Sequence, residues 1–164
     1  MLVSRIHSRL MDALEGLPTV CGTLVLSLAP DDPRWDRRSD PERFTLREVF
    51  AHLADYDVRW NDYLDKALTA TADAPASVPV FTPDEVAAGR GYDQSDPHER
   101  LAALRASRNA LVAKFRGLED EAWTAHAITS PRHGTLNLDE LATLFVAHDG
   151  YHTRQIAEYV SQVS

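Results

Sequence analysis

Four stretches of the sequence repeat apolar residues at the spacing of one helix face, and no stretch shows the strict alternation of a half-buried strand. Three of the four stretches open with residues that cap helix N-termini. These pairs are Thr45 with Glu48, Asp96 with Pro97, and Asn137 with Glu140. The pattern predicts an all-α chain, most simply a four-helix bundle with a site built between facing helices.

The first predicted helix covers about residues 4–28 and the second about 46–69, while the third starts near 97 and the last near 138. Gly16 and Pro18 interrupt the first helix, so we expect it to bend or restart there. Its apolar face is expected to hold Ile6, Leu10, Leu14, Leu17, Cys21, Leu24 and Leu28. The proline-bearing segment between the second and third helices is long, with one short helix expected near Pro83. Such a length indicates a crossover connection or a flap over a site.

Length and charge limit the classes of function. A chain of 164 residues is the size of one domain, residues 1–164, and can bury a core without disulfides or a structural metal. The net charge of −8, without a basic run, disfavours nucleic acid and anionic membranes as partners. The single cysteine, Cys21, is expected to be inert core. The apolar segment 17–30 is too short to span a bilayer and lacks a basic leader, which favours a cytoplasmic protein.

Two histidines four residues apart, His148 and His152, lie in the apolar stripe of the last helix. Residues i and i+4 project toward the same point, and a divalent cation would satisfy one nitrogen on each buried ring. His52, at the border of the apolar stripe of the second helix, is the third ligand we predict. Three imidazoles leave coordination positions open, as catalytic metal sites do. The alternative is that each ring is a core histidine bonded to a carbonyl.

The other polar candidates are less specific. His7 and His98 are expected to face solvent. His126 and His133 fall in a segment leading into the last helix, where they are either surface residues or proton-transfer groups and extra ligands of a covered site. Arg108 lies in an apolar stripe, so it either pairs with an acid such as Asp57 or anchors an anionic substrate.

The order of several segments resembles the DinB/YfiT-like superfamily of metal-binding four-helix bundles, over about residues 17–160. The segments are FTLREVFAHLADYDVRW, RLAALRASRNALVAKF, EDEAW and HGTLNLDELATLFVAHDGYHTRQIAEY. The most specific is HDGYHTRQI, a His-x3-His-x2-Gln-Ile ending. The resemblance implies that His52, His148 and His152 are the metal ligands.

The resemblance also implies a zinc, nickel or iron ion, a homodimer, and a small-molecule substrate. Activities in the family include thiol S-transfer with bacillithiol, mycothiol-dependent isomerisation and metal-dependent hydrolysis. We therefore expect a metal-dependent transferase, with a low-molecular-weight thiol as cosubstrate; a hydrolase or a non-catalytic metal-binding stress protein are the alternatives. Candidate substrate-positioning residues are Arg108, Trp123, His126, His133 and Gln155, of which Gln155 could instead orient an imidazole.

Overall fold

A computed structural model describes residues 2–38, 40–80 and 82–161. Four long helices dominate: α1 (Leu2–Leu24), α2 (Leu46–Leu68), α4 (Pro97–Arg116) and α6 (Leu138–Ser161). The short helices α3 (Pro83–Arg90) and α5 (Ala122–Ala125) lie in the connections, as do 3₁₀ turns at Pro33–Asp36 and Tyr92–Gln94. The predicted four-helix bundle and its long crossover connection are confirmed.

The helix starts follow the capping signals. Thr45 accepts a hydrogen bond from the backbone N–H of Glu48, and the Glu48 carboxylate accepts one from the N–H of Thr45. Asn137 and Glu140 make the same reciprocal pair at the start of α6. Each pair satisfies two backbone donors that a helix N-terminus would otherwise leave unbonded.

The bundle is not a simple up-and-down arrangement. Helix α2 packs chiefly against α4, α1 packs against α6 and α4, and α2 also contacts α6. The long helices therefore run around the bundle in the order α1, α4, α2, α6. Paired residues follow the same order along α2 and α4, with Arg100 3.7 Å from Asp55 and Lys114 2.6 Å from Asp65, so the two helices run in the same direction. The connection between them must therefore return along the length of the bundle, and it carries α3 past α2.

Helix α1 differs from the prediction in two ways. It ends at Leu24, earlier than predicted, and it continues through Pro18, which excludes the restart that was one of the two predicted alternatives. Its first turns also present another face to the core, since Met11 is buried while Ile6 is 53% exposed. His7 belongs to the buried face, so its predicted exposure to solvent is wrong. Its ring stacks on Trp123 at 3.8 Å, and its Nε2 lies 2.6 Å from Oδ1 of Asp139.

A small three-stranded sheet, which the sequence pattern did not predict, covers one end of the bundle. Strands β2 (Ala127–Ser130) and β3 (Gly134–Asn137) form an antiparallel hairpin, and β1 (Ala76–Ser77) pairs with β2 in parallel. Strands of two to four residues are too short to show a period of two. Gly134, with φ of 71°, supplies the left-handed residue that closes the hairpin.

The core consists of two apolar clusters, one toward each end of the bundle. Between them three of the long helices carry buried polar side chains: His52 and Asp57 on α2, Arg108 on α4, and Asp149 and His152 on α6. Among the described helices, none combines the length and the apolar character that crossing a bilayer requires.

Candidate metal centre

Three histidines meet where α2 faces α6. His52 comes from α2, and His148 and His152 are one turn apart on α6. One ring nitrogen from each residue lies within 4.8 Å of the other two. The ring centroids are 4.5 Å apart for the two α6 histidines, and His52 lies 5.2 Å from His148 and 4.7 Å from His152. The structure thus brings together the three residues predicted as ligands.

The spacing of the nitrogens fits one shared cation. Nε2 of His52 lies 3.1 Å from Nε2 of His148. Two nitrogens bound to one zinc ion at about 2.0–2.1 Å are separated by about 2.9–3.4 Å, depending on the bond angle. The Nε2 atoms of these two rings are therefore at the separation expected of two ligands of one cation.

A directed chain of hydrogen bonds sets the tautomer of His152. The hydroxyl of Tyr159 donates to the backbone carbonyl of Phe44 at 2.8 Å, so its oxygen accepts from Nε2 of Gln155 at 3.2 Å. The amide oxygen of Gln155 then faces Nδ1 of His152 at 2.9 Å and must accept its proton. With the proton on Nδ1, Nε2 of His152 keeps its lone pair for a metal.

Burial keeps two of the rings neutral. It lowers the pKa of His52 to about 2, with further lowering by His152, His148 and the cation of Arg59. Burial and the neighbouring His148 lower the pKa of His152 to about 3, against a smaller opposing effect of Gln155. Because metals bind the neutral imidazole, both rings are ready to bind a cation over the whole physiological pH range.

Aromatic side chains fix the ring of His148. Tyr56 stacks on it at 4.7 Å with an angle of 10° between the planes, and Trp60 meets it edge-on at 5.0 Å. Its Nδ1 is buried without a hydrogen bond among the described residues, and the nearest carboxylate oxygen of Asp149 is 3.9 Å away. A cation on Nε2 would hold the proton on Nδ1, beside that carboxylate. The donor set and its surroundings therefore fit a divalent metal.

The three rings open into a cavity of about 520 Å³. Its wall is largely aromatic and aliphatic, and the charged members of the described lining lie mostly at the solvent-facing rim. The apolar wall includes Phe44, Tyr56, Trp60, Tyr63, Ile128, Leu136, Leu141 and Phe145. A cavity of this size, with a polar cluster at one side, is typical of a small-molecule site.

In the comparison with known families, a model of the DinB superfamily matches residues 4–156. The chain belongs to the DinB superfamily. The fold of this DinB-superfamily protein is also that of YfiT from Bacillus subtilis, with a TM-score of 0.82 at 22% sequence identity. That match covers 93% of this chain and 85% of YfiT, which is described as a probable metal-dependent hydrolase with an unusual four-helix bundle topology. A search of curated proteins gave no significant match.

Two of the predicted substrate-positioning residues of this DinB-superfamily protein line the cavity. Gln155 lies beside His152, and His133 lies on the exposed turn of the β2–β3 hairpin. Two others lie elsewhere. Trp123 is core, stacked between His7 and Phe115. His126 follows α5, and its Nδ1 lies 2.6 Å from the backbone oxygen of Ala70, which ties α5 to the end of α2.

The contacts of Arg108 join helices of the bundle. Its guanidinium is fully buried and donates to the carboxylates of Asp57 and Asp149 and to the backbone oxygen of Leu14. The predicted pairing with Asp57 is therefore present, whereas the alternative of an anion anchor is not, because Arg108 does not line the cavity. Its second acid, Asp149, was missed, although it directly follows His148 in the sequence.

Sequence reasoning also missed Arg59. It lies seven residues after His52, and therefore on the same face of α2 two turns later, where it lines the cavity and is only 9% exposed. The spacing from His52 through Tyr56 to Arg59 could have indicated it. An arginine next to a tryptophan, Trp60, is otherwise indistinguishable in sequence from a surface residue.

Proposed function

We propose that this DinB-superfamily protein is a divalent-metal-dependent enzyme that transfers a low-molecular-weight thiol to a small electrophilic molecule. The observation that carries the proposal is the buried cluster of His52, His148 and His152 at the wall of an apolar cavity. These three neutral imidazoles would hold a divalent cation without reducing its charge, and the cation would supply the positive charge that favours ionisation of a thiol or water near neutral pH.

Two features of the chain favour a thiol as the nucleophile. The carboxylates in the described lining are Glu42 and Asp84, and both are exposed to solvent, so neither is held as a buried general base beside the histidines. A thiol with a pKa near 8.5 needs less assistance to ionise than water does. The chain's own thiol is unsuitable, because burial raises the pKa of Cys21 to about 12 and the side chain is fully buried.

Metal-dependent hydrolysis is the second candidate. It is favoured by the fold shared with YfiT, which is described as a probable metal-dependent hydrolase. The two candidates share the metal site and differ in whether a thiol or water attacks.

The test uses full-length protein purified without an affinity tag or added metal, whose metal content is measured first. Chlorodinitrobenzene is then supplied with bacillithiol, mycothiol, glutathione or cysteine, with and without zinc, nickel or iron. The thiol sulphur forms a bond to the ring carbon, chloride leaves, and the thiol proton passes to buffer. Nitrophenyl esters without thiol test hydrolysis in parallel.

We expect metal-dependent thiol consumption that Cys21→Ala retains and His152→Ala loses by several orders of magnitude. His98→Ala is the matched control, since His98 is exposed at the start of α4. Ester turnover without thiol turnover would replace the transferase by the hydrolase. Bound metal with neither reaction would support the non-catalytic binding protein, and a dead Cys21→Ala variant would show that the nucleophile was misassigned.

A further inference from the structure

The cavity that contains the three histidines also contains a buried cation. Arg59 is the one charged side chain of the described cavity lining that is largely buried, because Arg43 is partly exposed and Glu42, Asp84, Arg132 and His133 are exposed to solvent. Burying an arginine carries a desolvation cost, and that burial lowers the pKa of Arg59. In small-molecule sites with apolar walls, a few polar or charged groups of this kind orient the ligand.

Tyr56 lies between Arg59 and the histidines. The guanidinium carbon of Arg59 lies 5.7 Å from the centre of the Tyr56 ring, and the same ring stacks on His148 and packs 4.3 Å from His52. The cation therefore lies about one ring beyond the histidine cluster, along the same wall.

The guanidinium group selects the chemistry of the ligand. It is planar, always charged and presents its N–H donors as a fork that matches the two oxygens of a carboxylate. A phosphate dianion would call for further buried donors, whereas the other basic lining residues are Arg43, which is partly exposed, and the exposed Arg132 and His133. The wall beyond Tyr56 is apolar, through Trp60, Phe145 and Leu141.

We propose that Arg59 is the anchor for a carboxylate group of the substrate, so that the cavity takes a small organic acid with an apolar body. The acid group lies against Arg59, the apolar body against the aromatic wall, and the reactive end faces the three histidines. This proposal rests on the proposed function in one respect, that the cavity is the substrate site. It does not depend on the metal, because the anchor is a side chain of the protein.

Binding of a matched acid and amide tests the anchor directly. Calorimetric titrations of 3-phenylpropionate and 3-phenylpropionamide compare a charged with a neutral ligand of nearly the same shape. They are made on metal-stripped protein, where the acid cannot be held by a cation at the histidines, and are repeated with zinc. Wild-type protein is expected to bind the acid at least tenfold more tightly than the amide in both states.

Substitutions test whether Arg59 causes the tighter binding of the acid. Arg59→Gln and Arg59→Met are expected to bind acid and amide equally, while Arg59→Lys keeps part of the preference. Arg9→Gln removes the same charge at an exposed site outside the cavity and keeps the full preference. Should the Gln and Met variants not fold, the Arg59→Lys variant and the wild-type comparison still decide.

Two results with wild-type protein would overturn the proposal: equal affinity for acid and amide, or no binding of either ligand up to about 10 mM. So would a preference that survives Arg59→Gln or that is lost instead in Arg132→Gln. A preference seen only with zinc and unaffected by Arg59→Gln would assign the carboxylate to the metal. Failure of thiol or ester turnover leaves the metal-free result unchanged, so the two proposals fail separately.

Discussion

Nη1 of Arg108 donates a 2.7 Å hydrogen bond to the backbone oxygen of Leu14. This carbonyl lies four residues before Pro18, which has no N–H to give it, so α1 leaves one acceptor open inside the bundle. Arg108 on α4 fills that gap and also binds Asp57 on α2 and Asp149 on α6. One side chain thus joins all four long helices in the polar layer that contains the histidines.

Removing Arg108 should destabilise the fold. Arg108→Gln leaves two buried carboxylates without their cation, and breaking a buried ion pair from one side costs about 3–5 kcal/mol. Urea denaturation measures the loss. Arg116→Gln removes a half-exposed arginine that pairs with Asp12 and Glu15, and should cost less than about 1 kcal/mol. A stable Arg108→Gln protein with a raised KM would instead restore the substrate-anchor role.

Each predicted ligand should be needed for metal binding. Replacing His52, His148 or His152 by Ala removes a ligand and should lower zinc affinity by more than about 100-fold, the upper end of what loss of a residue behind a ligand causes. Competition with a chelator measures the affinity, and circular dichroism follows the helices. His98→Ala should bind like wild type. Loss of helicity on chelation alone would mark the metal as structural.

Gln155 should act on the metal through His152. Gln155→Leu removes the acceptor that holds the proton on Nδ1, and we expect zinc affinity to fall about 10–100-fold while the three histidines remain. Nitrogen NMR of the metal-free protein should show His152 changing from one tautomer to a mixture. Gln94→Leu, at an exposed position, serves as the control. An unchanged tautomer would contradict the directed chain through Tyr159.

Acid should destabilise the metal-free protein through its histidines. In the folded state the pKa of His52 is about 2 and that of His152 about 3, whereas unfolded imidazoles titrate near about 6.5. Below that pH the unfolded state binds more protons, so the free energy of unfolding falls as pH decreases toward 3. Each ring contributes up to about 1.4 kcal/mol per pH unit.

The double variant His52→Gln/His152→Gln isolates this contribution. Denaturant titrations from pH 7.5 to 4.5 should give a shallower loss of stability for the variant than for wild type, since its other ionisable groups are the same. Above pH 7 the two pH profiles should run parallel. Parallel profiles over the whole range would show that the two rings are not kept neutral by burial.

The four long helices and the three candidate metal ligands could be predicted from the sequence. Helix spacing and local caps such as Thr45 with Glu48 act over a few residues, and the i,i+4 pair His148 and His152 lies on one helix, so both are readable without the fold. The prediction of His52 as the third ligand required one further assumption, that α2 faces the last helix.

The other features could not be predicted, because they depend on contacts between residues distant in sequence. The phase of α1, which buries His7 and exposes Ile6, is set by packing against α4 and α6. The short strands exist only because β1 and the β2–β3 hairpin meet. The roles of Arg108 and Arg59 were likewise undecided in sequence, since both are arginines on helices. In the folded protein Arg108 contacts two carboxylates and a backbone carbonyl, whereas Arg59 lies at the cavity wall.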